Sequence, residues 1–169
     1  MMIKRFSTLL FTFSLALYGD INKAELNKLE VEALIVKDLS AKQTLYAKEP
    51  FKEVQPASLT KVMTAILAIE RGNLAQPVTI TREMTRVEPT IAGYRRGDVI
   101  RLEDLIKAAM IKSDNDAAKA IAITVGGSEE RFVEMMNAKA RAIGMKHTRF
   151  SNPCGYDTKG HYSTPKDLL

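Results

Sequence analysis

A serine and a lysine three positions apart, Ser58 and Lys61, open a segment that stays apolar on nearly every side: from Val62 to Ile69 only Thr64 is polar. Such a run predicts a helix buried on several faces. An ammonium carried into that setting is costly unless it finds a partner or gives up its proton, and desolvation moves a lysine pKa downward. The segment therefore constrains fold and chemistry together: a buried helix with a lysine on its first turn that is suited to act as a base. Residues i and i+3 share a helix face, so Lys61 Nζ can reach back to Ser58 Oγ and draw off its proton. A weak nucleophile is then activated without histidine.

Spacing alone is not decisive. Ser163-Thr164-Pro165-Lys166 repeats the S-x-x-K pattern, and such a match arises by chance roughly once in a few hundred positions. By spacing alone, Ser58 reads equally well as a helix cap after Pro56-Ala57, with Lys61 on a solvated edge. Two features separate the copies. Only the first lies on an apolar helix, and only the first is followed by Ser113-Asp114-Asn115.

Ser58-Leu59-Thr60-Lys61 followed by Ser113-Asp114-Asn115 resembles the first two of three motifs of the penicillin-recognising serine enzymes. Further segments are similar, in order, to the low-molecular-mass D-alanyl-D-alanine carboxypeptidases. They are Gly126 to Phe132, Met136-Asn137, Ile143 to Phe150, Asn152-Pro153 with Gly155, and Tyr162 to Thr164 with Asp167-Leu168. The resemblance runs from about Leu29 to Leu169. It implies that Ser58 attacks the carbonyl of the penultimate D-alanine of a peptidoglycan stem pentapeptide and forms an acyl-enzyme. Lys61 would be the base, Ser113 would relay a proton to the departing D-alanine, and the Asn115 amide would bind the substrate backbone. The Ser58 N–H would supply half of an oxyanion hole. β-Lactam antibiotics would be inhibitors, and no cofactor is implied. Asp114 stands where the carboxypeptidases often carry glycine.

Two neighbouring activities are weighed against this one. A β-lactamase needs a Glu-x-x-Leu-Asn loop, and Glu134-Met135-Met136-Asn137 is one residue short and falls inside an expected helix. A D,D-endopeptidase cutting peptide crosslinks uses the same motifs and stays open. So does a catalytically silent fragment, because the third motif, Lys-Thr-Gly, is not found in these 169 residues.

Residues 1–19 read as a secretory signal peptide, with Lys4-Arg5 ahead of an apolar stretch from Phe6 to Tyr18. The expectation is export to the periplasm or the outer face of the cytoplasmic membrane. Attachment to the membrane through an uncleaved leader or a C-terminal anchor outside this sequence is the further possibility. Two of the five excess positive charges lie in that leader, and the rest are interspersed, with Arg95-Arg96 a close pair. That is a solvated surface, not a nucleic-acid footprint. Cys154 is the single cysteine, and His147 and His161 have no Cys or His at ligand spacing, so no metal is expected.

Along the chain, Leu29 to Asp38 and Gln43 to Lys48 predict a hairpin turning at Leu39 to Lys42. Val78 to Thr81 predicts a short strand, and Glu83 to Arg101 a loop. Helices are expected at Leu102 to Lys112, Asp116 to Val125 and Glu129 to Ile143, with Ser128 capping the last and Asp116 capping beside Ser113. Thr164-Pro165 starts another helix. The expected fold is α+β, a β-lactamase/transpeptidase-like domain with a helical cluster packed on an antiparallel sheet. Residues 28–169 would be the N-terminal part of the catalytic domain, cut before its C-terminal strands.

Overall fold

The computed structural model describes residues 23–169, so the expected leader and its cleavage site lie outside the described residues. The chain divides into two compact units, one ending at Glu49 and one running from Pro50 to Leu169.

The first unit holds α1 (Lys23–Asn27) and an antiparallel hairpin of β1 (Leu34–Asp38) and β2 (Gln43–Lys48). Asp38 Oδ1 closes the turn by accepting the N–H groups of Ser40 and Ala41 at 2.8 and 2.9 Å, an Asx turn. Lys42 takes a positive φ of 54° at its end. The strand begins at Leu34 and not at Leu29, because local turns take up the N–H groups of Lys28, Leu29 and Val31 before extended pairing starts. Asn27 also anchors the hairpin by accepting from the Tyr46 hydroxyl at 2.6 Å.

The second unit is helical, with a small sheet at one side. A single 3₁₀ turn, Ala57–Leu59, runs into α2 (Thr60–Arg71). After β3 (Pro77–Thr79) and β4 (Val99–Arg101) come α3 (Leu102–Ile111), α4 (Asn115–Gly126), α5 (Glu129–Ala142) and the single turn α6 (Pro165–Leu168). Helix α4 is the hub and packs on α2, α3 and α5. Its alanines Ala117, Ala118, Ala120 and Ala122 are all fully buried. Small side chains there let Leu67, Leu102, Leu105, Phe132 and Met136 close around it. Ser128 caps α5 by accepting the Arg131 N–H at 3.2 Å, as its place after Gly126-Gly127 predicts. Thr164 caps α6 in the same manner through Asp167 N–H.

Three expectations are corrected. Val99 to Arg101 is a strand, pairing with Pro77 to Thr79 in register Val78 to Ile100. Three residues are too few to show a period of two, and the pairing is set by the Ile80–Asp98 backbone bond beyond it. Helix α2 is buried on one side only: Met63, Thr64, Ala65, Leu67 and Ala68 face the core, while Val62 and Ile69 are exposed. Asp116 caps only in part: its Oδ1 accepts the Ala117 N–H at 2.9 Å in the first turn of α4, while its carboxylate also serves another segment, as described next.

Candidate active site

The site forms where the 3₁₀ turn, the start of α2, the turn before α4 and the segment after α5 meet. Pro56 and the positive φ of Ala57, 46°, set Ser58 on an exposed corner ahead of the buried helix. Lys61 follows one turn later with only 2% of its surface exposed. Its Nζ donates to the Cys154 carbonyl at 2.8 Å and lies 3.4 Å from Ser58 Oγ. Ser113 reaches in from the α3–α4 turn, where its φ is 62°. Its hydroxyl donates to Ser58 Oγ at 2.8 Å. Three of the four predicted side chains thus converge on one oxygen.

Asn115 does not join them. Its Nδ2 donates to the Glu88 carbonyl at 2.9 Å, and its own N–H donates to Thr90 O at 2.8 Å. The side chain therefore ties the 88–90 segment to the start of α4. Asp116 extends that tie, with its buried carboxylate accepting the N–H groups of Ala92, Gly93 and Tyr94 at 2.9, 3.0 and 3.3 Å. The segment bordering the site is thereby held by side chains of a helix whose start is itself buried.

The second wall is the segment from Ser151 to Thr158. Asn152 Oδ1 accepts three successive N–H groups, those of Cys154, Gly155 and Tyr156, at 3.1, 2.7 and 3.0 Å. This folds the backbone so that two carbonyls face α2: Pro153 O accepts Thr64 Oγ1 at 2.8 Å, and Cys154 O accepts Lys61. Gly155 has φ of 92°, and a Cβ there would stand 1.9 Å from the Ala57 carbonyl. Only glycine lets this wall approach the backbone that carries Ser58.

Burial pulls the Lys61 pKa below its ordinary value, outweighing the opposing influence of the neighbouring Cys154 and Asp114 in their anionic forms. Desolvation prevails, which favours the neutral amine that a base requires. Burial likewise pushes the Cys154 thiol up to about 12, so its sulfur is an inert packing atom while its carbonyl holds the lysine. Asp114 is buried with one carboxylate oxygen lacking a partner. Burial, then the charge of Asp116, raises its pKa.

The second S-x-x-K copy is structural. Ser163 is fully buried, pairs its backbone with Val54, and shares its hydroxyl with Thr148 Oγ1 at 2.7 Å. Lys166 is exposed on α6. What sequence reasoning did not single out are the carbonyl of Cys154, the clamp of Asp116 and the tripod of Asn152. The Asn-Pro pair at 152–153 was the one local signal for the last of these.

A nucleophilic hydroxyl bonded to a second hydroxyl and flanked by a desolvated lysine defines a class of site, one that can carry acyl transfer without histidine or metal. The chain belongs to the D-alanyl-D-alanine carboxypeptidase family, Peptidase S11, whose family model matches residues 20–169. It is 32% identical over 144 residues to the D-alanyl-D-alanine carboxypeptidase DacF of Bacillus subtilis, covering 82% of this chain and 37% of that one. It is 34% identical over 137 residues to a D-alanyl-D-alanine endopeptidase of Pseudomonas aeruginosa, covering 79% of this chain and 44% of the relative. Among solved structures, penicillin binding protein 5 from Haemophilus influenzae superposes with a TM-score of 0.78 at 28% identity, over 83% of this chain and 43% of that one. The α+β, transpeptidase-like class expected from sequence is therefore the fold. The chain spans less than half the length of these relatives.

Proposed function

We propose that the protein is a serine-type D-alanyl-D-alanine carboxypeptidase that trims the terminal D-alanine from peptidoglycan stem pentapeptides and is inhibited by β-lactams. Ser58 Oγ adds to the carbonyl of the penultimate D-alanine while neutral Lys61 takes its proton. The tetrahedral intermediate collapses, Ser113 passes a proton to the leaving D-alanine amine, and an acyl-Ser58 ester remains for water to cleave. The observation that carries this reading is the meeting of Lys61 Nζ and Ser113 Oγ at Ser58 Oγ. Asn115 contributes by setting the 88–90 segment, and by resemblance to the family its amide would bind the substrate backbone. Export, with work on the outer side of the cytoplasmic membrane, fits such a substrate.

A fluorescent penicillin tests the assignment, because the strained lactam acylates the same hydroxyl. Labelling should map to Ser58 and vanish in Ser58→Ala, with the thermal midpoint unchanged. Drug found on Ser163 instead would overturn the assignment. The endopeptidase reading is kept because a 34% identical relative carries that name. Given a pentapeptide and a crosslinked dimer, the enzyme should release D-alanine faster than it cuts the crosslink, and the reverse order would move it to the endopeptidases.

A further inference from the structure

His161 has no role in the chemistry just described, yet it is 1% exposed and held from two sides. The Ser151 N–H donates to its Nδ1 at 3.0 Å. A backbone N–H cannot accept, so Nδ1 carries a lone pair and the proton of the neutral ring sits on Nε2. From there it faces Thr60 Oγ1 at 2.8 Å. The edge of Phe150 closes the ring face, with centroids 5.9 Å apart.

Both partners matter to the site. Thr60 is fully buried between Ser58 and Lys61 at the first residue of α2. Ser151 begins the wall whose Pro153 and Cys154 carbonyls receive Thr64 and Lys61. One ring thus joins the helix that carries the lysine to the segment that seats its ammonium. We propose that His161 is a positioning residue for Ser58 and Lys61: as the neutral Nε2–H tautomer it ties the 151–158 wall to the first turn of α2, and protonation of the ring loosens that tie and slows acylation.

An imidazolium carries N–H groups at both nitrogens, so its Nδ1–H would confront the Ser151 N–H in a place closed to water. The Ser151 hydroxyl, 3.3 Å from Nδ1, can turn its oxygen to the new proton, but the backbone N–H stays opposed. The titratable groups on the elements about the ring are Lys61 on the first turn of α2, Cys154, Tyr156 and Asp157 in the wall, Lys159 just beyond it, and Arg149 and Tyr162 on the neighbouring bridge. Of these, Asp157 bears on the ring and favours its charged form, while burial outweighs it and holds the pKa below 6.5. The sign follows from linkage. The unfolded chain takes up this proton more readily than the folded one, so the stability from the neutral ring is whole above 6.5 and is lost as pH falls through the folded value.

The inference rests on the Ser58 reading, and its test separates the two. In protein labelled with ¹⁵N-histidine, nitrogen–proton correlation spectra, assigned with His147→Gln, should place the His161 proton on Nε2 with a midpoint below 6.5. The rate of penicillin acylation in the same protein should fall with that midpoint on acidification. In His161→Gln and His161→Asn that inflection should vanish, with a plateau about two- to tenfold lower, the factor one neutral hydrogen bond is worth. A proton on Nδ1, a midpoint at or above 6.5, or a wild-type rate that ignores the His161 titration overturns the inference even if neither variant folds. Wild-type protein that no penicillin acylates at any pH sinks the Ser58 reading and this inference with it.

Discussion

At Lys61 two influences act on one proton: burial withdraws solvent from the ammonium, while Cys154 and Asp114, in their anionic forms, favour keeping it charged. Burial prevails, so the acylation rate should climb with pH to a midpoint below the ordinary lysine value of 10.5. Lys61→Arg keeps the charge and removes the base proposed above, since a guanidinium does not deprotonate at working pH. Its acylation rate should drop by more than about tenfold, which is about 1.4 kcal/mol of barrier. A smaller loss would mean that Lys61 supplies charge alone. The lowered pKa has a thermodynamic counterpart. Between its folded value and 10.5 the unfolded chain holds the proton more tightly, so stability rises with pH there, and denaturant titrations of Lys61→Met should show a flatter slope. The meeting of Ser58, Lys61 and Ser113 was readable in the sequence because these residues stand in two motifs of fixed spacing. The seat of the lysine was not, since it is a backbone carbonyl, to which any residue at 154 contributes equally. Asp116 was read only in part for a related reason: an acid at a helix start suggests a bond to the first turn, which it makes to Ala117 N–H, but not the distant segment that it also holds.

The element that most constrains the site is the 151–158 wall, and two glycines give a controlled comparison. Gly155→Ala places a Cβ against the Ala57 carbonyl at a positive φ, so either the wall or the Ser58 corner must move. Gly127→Ala has a similar φ of 82° but open space around it. The second change should cost about 1–2 kcal/mol of left-handed strain and lower the thermal midpoint only. The first should lower it further and also abolish most penicillin labelling at temperatures where the protein remains folded. Equal labelling by the two variants would show that the wall does not set the nucleophile. The helices of the second unit were legible at this scale to within about a residue, because apolar periodicity and the caps at Ser128 and Thr164 agree with each other, whereas the short α1 (Lys23–Asn27) was not expected. Strand β4 was missed because its order comes from pairing with β3, a contact between residues some twenty positions apart that leaves no local pattern.

Across the second unit, the core lies on one side of α2 and an apolar groove on the other. Leu59, Val62, Met63, Ile143, Met145 and Phe150 line a cavity of about 290 Å³ there, and Leu59, Val62 and Ile143 are each 43% exposed or more. The all-round apolar run was visible in the sequence, whereas which face would meet the hub helix was not, since that depends on the alanines of α4. Contiguous apolar surface of this kind is uncommon on a soluble monomer and binds hydrophobic probes. The 169-residue chain should therefore enhance the fluorescence of an anilinonaphthalene sulfonate dye while still melting cooperatively. Replacing Val62 and Ile143 with lysine together should remove most of that enhancement without lowering the melting temperature, because neither side chain is in the core. Dye binding that survives the double substitution would place the accessible apolar surface elsewhere. A non-cooperative melt in the unmodified chain would instead assign the dye to loosened packing throughout the unit and remove the groove as its cause.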